Sequence, residues 1–273
     1  MVGSHLLKSS ALRTLLASLL LALASAAGHA TDLASDLTFG GNLALTTDYV
    51  YRGVSESDGH GAVQADVHAD LDGTFLGTWA SSRDRTLYPY AHADLDVYFG
   101  HRFDFGGLWS ASLSAHARYF VGGTQPTSDD YQEITASVTY LDSWTLSLTA
   151  IPNAVRYWYD VRLGRSPAWV AETSAQWPIV GGLFVTGGAG YYYSNAPSPP
   201  APQAPSYDTY PPPGPPVPAQ SATGYAYGNA GLAFEQGRWR LDVGYYLAQS
   251  KAQQLFPYRS ANDHFAGSVA WRF

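Results

Sequence analysis

The sequence predicts an all-β fold: a single antiparallel transmembrane β-barrel of about 12 strands, with short turns on one rim and long loops on the other. Three observations carry that prediction. Apolar and polar side chains alternate with period two through most of the chain. The connections between the alternating stretches switch regularly between short and long. Composition joins 14% aromatic residues to only 14% charged ones, where a soluble domain averages about 25% charged. Scarce charge with abundant Tyr and Trp suits an outer face that meets lipid, with aromatic girdles at both interfaces.

The chain opens with Lys8 and Arg13 around the apolar stretch Leu15 to Leu23, followed by Ala24, Ser25, Ala26, Ala27 and Gly28. This is the pattern of a secretory signal peptide over residues 1–30, cut near Ala30 or, alternatively, after Ala26, leaving a barrel over 31–273. The apolar run is shorter than the roughly 20 residues a membrane-spanning helix needs. Cleavage removes two cations and no acid, so the formal net charge goes from −7 to −9. Such acidity argues against a nucleic-acid partner, which would select a basic face. There is no cysteine, so disulfides and thiolate metal sites are excluded and strand pairing must hold the fold.

From Leu37 onward, Leu37, Phe39, Leu43, Leu45, Tyr49 and Tyr51 fall on one face and Thr38, Asn42, Thr46, Asp48 and Arg52 on the other. Val63, Ala65, Val67, Ala69 and Leu71 then alternate with Gln64, Asp66, His68, Asp70 and Asp72. A soluble sandwich could show the same pattern, so the connections decide. Short ones fall at Asp72-Gly73, Phe105 to Gly107, Asp142-Ser143, Val180 to Gly182 and Glu235 to Arg238. Long ones fall at Gly53 to Gly61, Ser82 to Pro89, Val121 to Asp130, Pro152 to Pro167, Tyr192 to Gly224 and Gln249 to Asn262. Six long and five short connections imply strands near 37–52, 62–72, 74–81, 90–100, 108–120, 131–141, 144–151, 168–177, 183–192, 225–235, 239–248 and 263–273. Both termini then lie on the short-turn side.

Val67-His68-Ala69-Asp70-Leu71-Asp72 recurs as Ala91-His92-Ala93-Asp94-Leu95-Asp96. The spacing equals one hairpin and predicts His and Asp at the same level on alternate strands, by duplication or by convergence. Residues 195–219 are dominated by Pro, Ala and Ser. Proline lacks a ladder donor, so this segment is expected to be an extracellular loop.

The segment Ala44-Leu45-Thr46-Thr47-Asp48-Tyr49-Val50-Tyr51-Arg52-Gly53-Val54-Ser55, followed by Ala62-Val63-Gln64, resembles the opening signature of the TorF family, taken as outer-membrane porins of Gram-negative bacteria. The match is specific over Ala44 to Ser55, compatible in strand layout beyond it, and departs in the loops. The resemblance implies an outer-membrane location and a channel role, and carries no substrate and no catalytic residue. The last run, Phe265 to Phe273, is also similar to the terminal strand by which such barrels are recognised by the assembly machinery.

In a barrel the face opposite the apolar one is the lumen. It carries Asp48 and Arg52 on the first predicted strand, Gln64, Asp66, His68 and Asp70 on the second, and His92, Asp94 and Asp96 on the fourth. His116, Arg118, Glu133, Glu172, Arg240, Asp242 and Arg272 follow on later strands. So many ionisable groups need either water or mutual pairing; a wet pore and a plugged lumen both satisfy this. Eight acids against four arginines favour cations if the path is open. The two His-x-Asp pairs could suggest a metal, but with a strand between them the histidines stand about 10 Å apart. No metal or cofactor is therefore expected. Tyr51, Trp79, Trp109, Tyr119, Trp144, Trp169, Trp177, Trp239 and Trp271 are expected to form the girdles.

The function expected is passive diffusion of small hydrophilic solutes, with outer-membrane lipid and, through Phe273, the barrel-assembly machinery as partners. A structural or adhesive barrel is the alternative. A hydrolase is less favoured: His264 and Ser268 point the same way, but no nucleophile-elbow context surrounds them. Catalysis is not expected.

Overall fold

A computed structural model describes residues 37–84, 91–122, 129–158, 161–194, 223–256 and 261–273. The signal-peptide segment, the proline-rich segment and the predicted cleavage sites lie outside these residues. Twelve antiparallel strands close into one barrel: β1 (Leu37–Thr46), β4 (Ala62–Leu71), β5 (Thr74–Ser82), β6 (Ala91–Asp104), β7 (Trp109–Gly122), β8 (Tyr131–Tyr140), β9 (Trp144–Trp158), β10 (Val161–Val180), β11 (Leu183–Ser194), β12 (Gly224–Gln236), β13 (Trp239–Ala248) and β14 (His264–Arg272). Neighbours in sequence are neighbours in the sheet, and β14 pairs β1 from Asn42↔Arg272 to Thr46↔Ser268 to close it. A two-stranded ribbon, β2 (Val50–Tyr51) with β3 (Val54–Ser55), and a short helix α1 (Lys251–Leu255) sit in long connections.

The turns follow from local chemistry. At Asp72-Gly73 both residues take positive φ, 50° and 77°, the conformation that lets a two-residue hairpin match strand twist. The barrel is apolar outside: Phe39, Leu43 and Leu45 on β1, Leu146 and Leu148 on β9, and Leu241 and Val243 on β13 are all exposed. A contiguous apolar belt of this kind is not stable in water and marks a lipid-facing surface.

Two predicted boundaries are corrected. The first strand ends at Thr46 instead of reaching Arg52, because the chain turns into the barrel at Thr47-Asp48. Tyr49 and Tyr51 keep the alternation but face the interior of the molecule. In the segment from Pro152 to Pro167, expected as a loop, residues 152–158 continue β9 and residues 161–167 begin β10. The ladder passes from Ala168↔Ile151 to Ser166↔Ala154, so Pro167 and Pro152 fall within a register irregularity. There the missing proline donor interrupts no paired position.

The internal repeat does not place its histidines at one level. Through β5, Asp66 aligns with Asp96 and His68 with Tyr98. His92 lies farther along β6, at the register shift between Ala91 and Ala93. The cause is that β6 runs on to Asp104, whereas β4 turns at Leu71.

Candidate functional site

The lumen is divided by the first long connection, residues 47–61, which folds inward and fills the long-loop half of the barrel. Three arginines tie this plug to its surroundings. Arg52 makes two parallel hydrogen bonds to Glu133 on β8, at 2.8 and 2.9 Å, and Tyr51 Oη donates to the same carboxylate at 3.1 Å. Arg83, just past β5, pairs with Glu56 of the plug. Arg118 on β7 donates to the hydroxyls of Tyr49 at 3.1 Å and Tyr131 at 2.9 Å, with its guanidinium 3.9 Å from the centre of the Tyr51 ring.

Tyr49 in turn donates to Asp94 Oδ2 at 2.9 Å. Burial, reinforced by Asp94, pushes the Tyr49 phenol well above its ordinary value, so the donor keeps its proton. Asp48 accepts from Ser55 and Ser57 and faces His264 Nε2 at 2.7 Å.

An apolar cluster completes the closure. Val54, at the plug tip, is fully buried among Ile151, Val170, Tyr192 and Tyr225. Phe256, at the end of α1, meets Tyr192 and Tyr225 edge-on at 5.5 and 6.0 Å. Tyr225 also donates to the Arg52 carbonyl at 3.0 Å. The oil-like core that a soluble domain keeps between its layers sits here inside the barrel, at one end.

The turn-side half is polar and more open. A cavity of about 390 Å³ is bounded by Thr145, Ser174, Gln176, Asn229, Arg240 and Asp242, among others. Arg240 is held by Asp242, Glu235 and Gln176, and Arg272 also reaches Glu235. On the opposite wall Asp66 accepts from Tyr98 at 2.7 Å and contacts His68 Nδ1 at 2.7 Å. Asp96 faces His116, Asp70 accepts from the Gly73 amide at the turn, and Glu172 accepts from Tyr227. Gln64 aligns with Ser81 and Asp94.

Apart from Gln64, which is level with Asp94, and His92, at the register shift near the start of β6, the predicted lumen residues separate into two groups. Asp48, Arg52, Asp94, Arg118 and Glu133 belong to the plug and its seat; Asp66, His68, Asp70, Asp96, His116, Glu172, Arg240, Asp242 and Arg272 lie below it. Among the predicted girdle residues, Tyr51 lies in the plug and Trp79 faces inward, its ring 5.4 Å from that of Tyr49. Both are corrections: Trp79 shares its level with Asp66 and Asp96, on the polar side of the pleat. Trp109, Tyr119, Trp144, Trp169, Trp177 and Trp239 are exposed on the outer face, and Trp271 is half-buried beside Phe273.

His264 and Ser268 do not form a nucleophile–base pair, since the two ring nitrogens of His264 face Asp48 and the Asn262 carbonyl. Among the described residues no group of three or more His, Asp or Glu is arranged to hold a metal. Sequence reasoning missed Tyr49, Glu56, Arg83, Tyr98, Tyr131, Tyr225 and Tyr227. Tyr98 was legible, for it keeps the period-two register of Asp94 and Asp96; Glu56 and Arg83 lie in connections, where periodicity says nothing.

No curated protein matches the sequence. Among solved structures the barrel is similar to the NanC porin, with a TM-score of 0.52 at 6% identity over 85% of this chain and 98% of that one. It is also similar to the KdgM porin, with a TM-score of 0.47 at 7% identity over 86% and 99% of the two chains. At such identity the likeness speaks for the fold alone. Residues 30–191, more than half of the sequence, match a sequence family, and the chain therefore belongs to the family described as bacterial protein of unknown function, Gcw_chp.

Proposed function

We propose that this protein is an outer-membrane channel for small hydrophilic solutes, closed at its outer end by the plug and conducting when the plug shifts. The observation that carries the reading is the plug's mode of attachment. Residues 47–61 are not an added domain but a loop held by discrete ion pairs, chiefly Arg52–Glu133, while the turn-side half remains a polar cavity. The apolar belt supports the outer-membrane location, and the porin-like fold is compatible with it. Below the plug, Asp66, Asp70, Asp96, Glu172, Glu235 and Asp242 outnumber Arg240 and Arg272, which supports a preference for cations. In this reading the terminal strand, ending at Phe273, addresses the chain to the assembly machinery.

Recordings of the purified chain in planar bilayers test the proposal. Rare, small openings whose reversal potential in a KCl gradient reports cation preference are expected; a wide pore open at all times would overturn it. The buried apolar cluster around Val54 favours one other reading, a structural barrel whose plug never moves, for which no variant of the plug would conduct. The proposed orientation places residues 195–219 outside the cell, so an epitope inserted near Pro212 should be labelled on intact cells. Labelling only after the outer membrane is breached would reverse the topology.

A further inference from the structure

Four histidines, His60, His68, His116 and His264, face aspartates, and among the described residues His116 alone of these also meets a serine hydroxyl. His116 Nδ1 lies 3.0 Å from Asp96 Oδ2, and its Nε2 lies 3.0 Å from Ser114 Oγ. The carboxylate can only accept, so Nδ1 carries the proton and Nε2 is left with a lone pair for the serine hydroxyl. That is the tautomer a serine nucleophile requires of its general base. His264 has two acceptors around it, Asp48 and the Asn262 carbonyl. His68 faces Asp66 through Nδ1, but its Nε2 lies toward Gly40, where no hydroxyl is available.

The surroundings of Ser114 suit an acyl group. Ser114 is paired with Gly100, and the ring of Phe75, the partner of Gly100 on β5, lies over that glycine, so the hydroxyl faces an aromatic edge on β6. The Phe75 and Tyr98 rings lie 6.2 Å apart, and Tyr98 lies 5.7 Å from His116, which makes an aromatic wall beside the site. The next inward hydroxyls, Ser112 and Ser137, are hydrogen-bonded to each other at 2.8 Å.

We propose that Ser114, His116 and Asp96 form a serine-nucleophile site for small esters entering the lumen from the turn side, an activity beyond the channel reading. Ser114 Oγ bonds to the carbonyl carbon of the ester while its proton passes to His116 Nε2. The tetrahedral adduct collapses, the C–O bond to the alcohol breaks, and His116 returns the proton to the departing alkoxide. Water, deprotonated by His116, then attacks the acyl-serine, releasing the carboxylic acid and regenerating Ser114. Asp96 is a positioning residue that holds the imidazole in this tautomer. Both neighbours of β7 are strands, so its ladder engages the backbone donors, and the oxyanion is left with the one hydroxyl hydrogen that the Ser112–Ser137 bond does not use. Missing a backbone oxyanion donor lowers turnover by about 100- to 1000-fold, so acylation is fast relative to steady turnover only for activated esters.

The test uses the purified full chain in detergent micelles, a small alkyl fluorophosphonate and p-nitrophenyl acetate. Mass spectrometry should find the phosphonyl group on Ser114, with no modification there in Ser114→Ala. Labelling should slow by about 100-fold or more in His116→Gln, the usual contribution of a general base. Asp96→Asn should lower kcat for p-nitrophenyl acetate while KM is unchanged, and Asp96→Glu should recover part of it. A wild-type chain that stays unlabelled at Ser114, labelling that is equally fast in His116→Gln, or ester cleavage unchanged in Ser114→Ala would each overturn the proposal and reduce the three side chains to a hydrogen-bonded network.

Discussion

Replacing Arg52 by alanine is the sharpest way to move the plug without touching the barrel wall. Arg52 and Glu133 form a bidentate pair with side chains 7% and 9% exposed, so solvent screens it little. Removing one partner leaves a buried carboxylate uncompensated, at a cost of about 3–5 kcal/mol. Tyr51 still donates to Glu133, which recovers about 1 kcal/mol. The remaining 2 kcal/mol or more bears on the loop and not on the barrel, because Arg52 is outside every ladder strand. At 1.4 kcal/mol per factor of ten, the displaced state should gain roughly 30-fold or more in population. Open probability in single-channel recordings is the readout, with the thermal transition of the barrel as control. Arg52→Ala combined with Glu133→Ala removes both charges and should return open probability toward wild type. If Arg52→Ala leaves open probability unchanged, or if the double variant opens as often as the single one, the pair does not latch the plug.

Other consequences follow from the same geometry. Gly53 has φ of +75°, and a Cβ there would stand 2.5 Å from the Cβ of Tyr227, so Gly53→Ala should unseat the plug; faster tryptic cleavage at Arg52 in the assembled protein would show it, and unchanged cleavage would count against the inward fold. Asp66→Asn with Asp70→Asn removes two carboxylates below the plug and should shift the reversal potential in a KCl gradient toward zero. Asp94→Asn, buried beneath Tyr49, should change how often the channel opens more than what it selects; the opposite pattern would place the selective field at the plug. Val67→Arg puts a charge on the exposed apolar face of β4 and should destabilise the lipid-embedded barrel by about 2–4 kcal/mol if that position lies near the midplane, read as a shift in urea unfolding from vesicles.

The all-β class, the strand number and the side of the turns could be read from the sequence because they are local. Period-two alternation fixes which face each residue takes along a strand, and Asp72-Gly73 fixes a turn through its own backbone preferences. That Asp66, Asp94 and Asp96 lie on the polar face of their strands needed no tertiary information, though their relative heights did. The same local rule failed where alternation continued past the end of a strand. Tyr49 and Tyr51 look like lipid-facing residues from spacing alone, but the chain turns inward at Thr47-Asp48 and makes them the inner face of the plug. The segment from Ala44 to Ser55 therefore contains both the end of β1 and the latch.

Pairing across the lumen was beyond the reach of the sequence. Arg52 meets Glu133, Arg83 meets Glu56, and Tyr225 meets the Arg52 carbonyl, contacts whose partners are far apart along the chain and are joined only by closure of the barrel. Register was also a tertiary matter: the repeat of Val67 to Asp72 at Ala91 to Asp96 gives no equal height, because the relative shift of β4, β5 and β6 sets that height. The sequence by itself determined which side chains turn away from lipid, since that depends on the alternation of neighbours. The tertiary structure decided which of those inward groups neutralise one another, which close the lumen and which remain open to solutes, since that depends on where twelve strands and one inward loop bring them together.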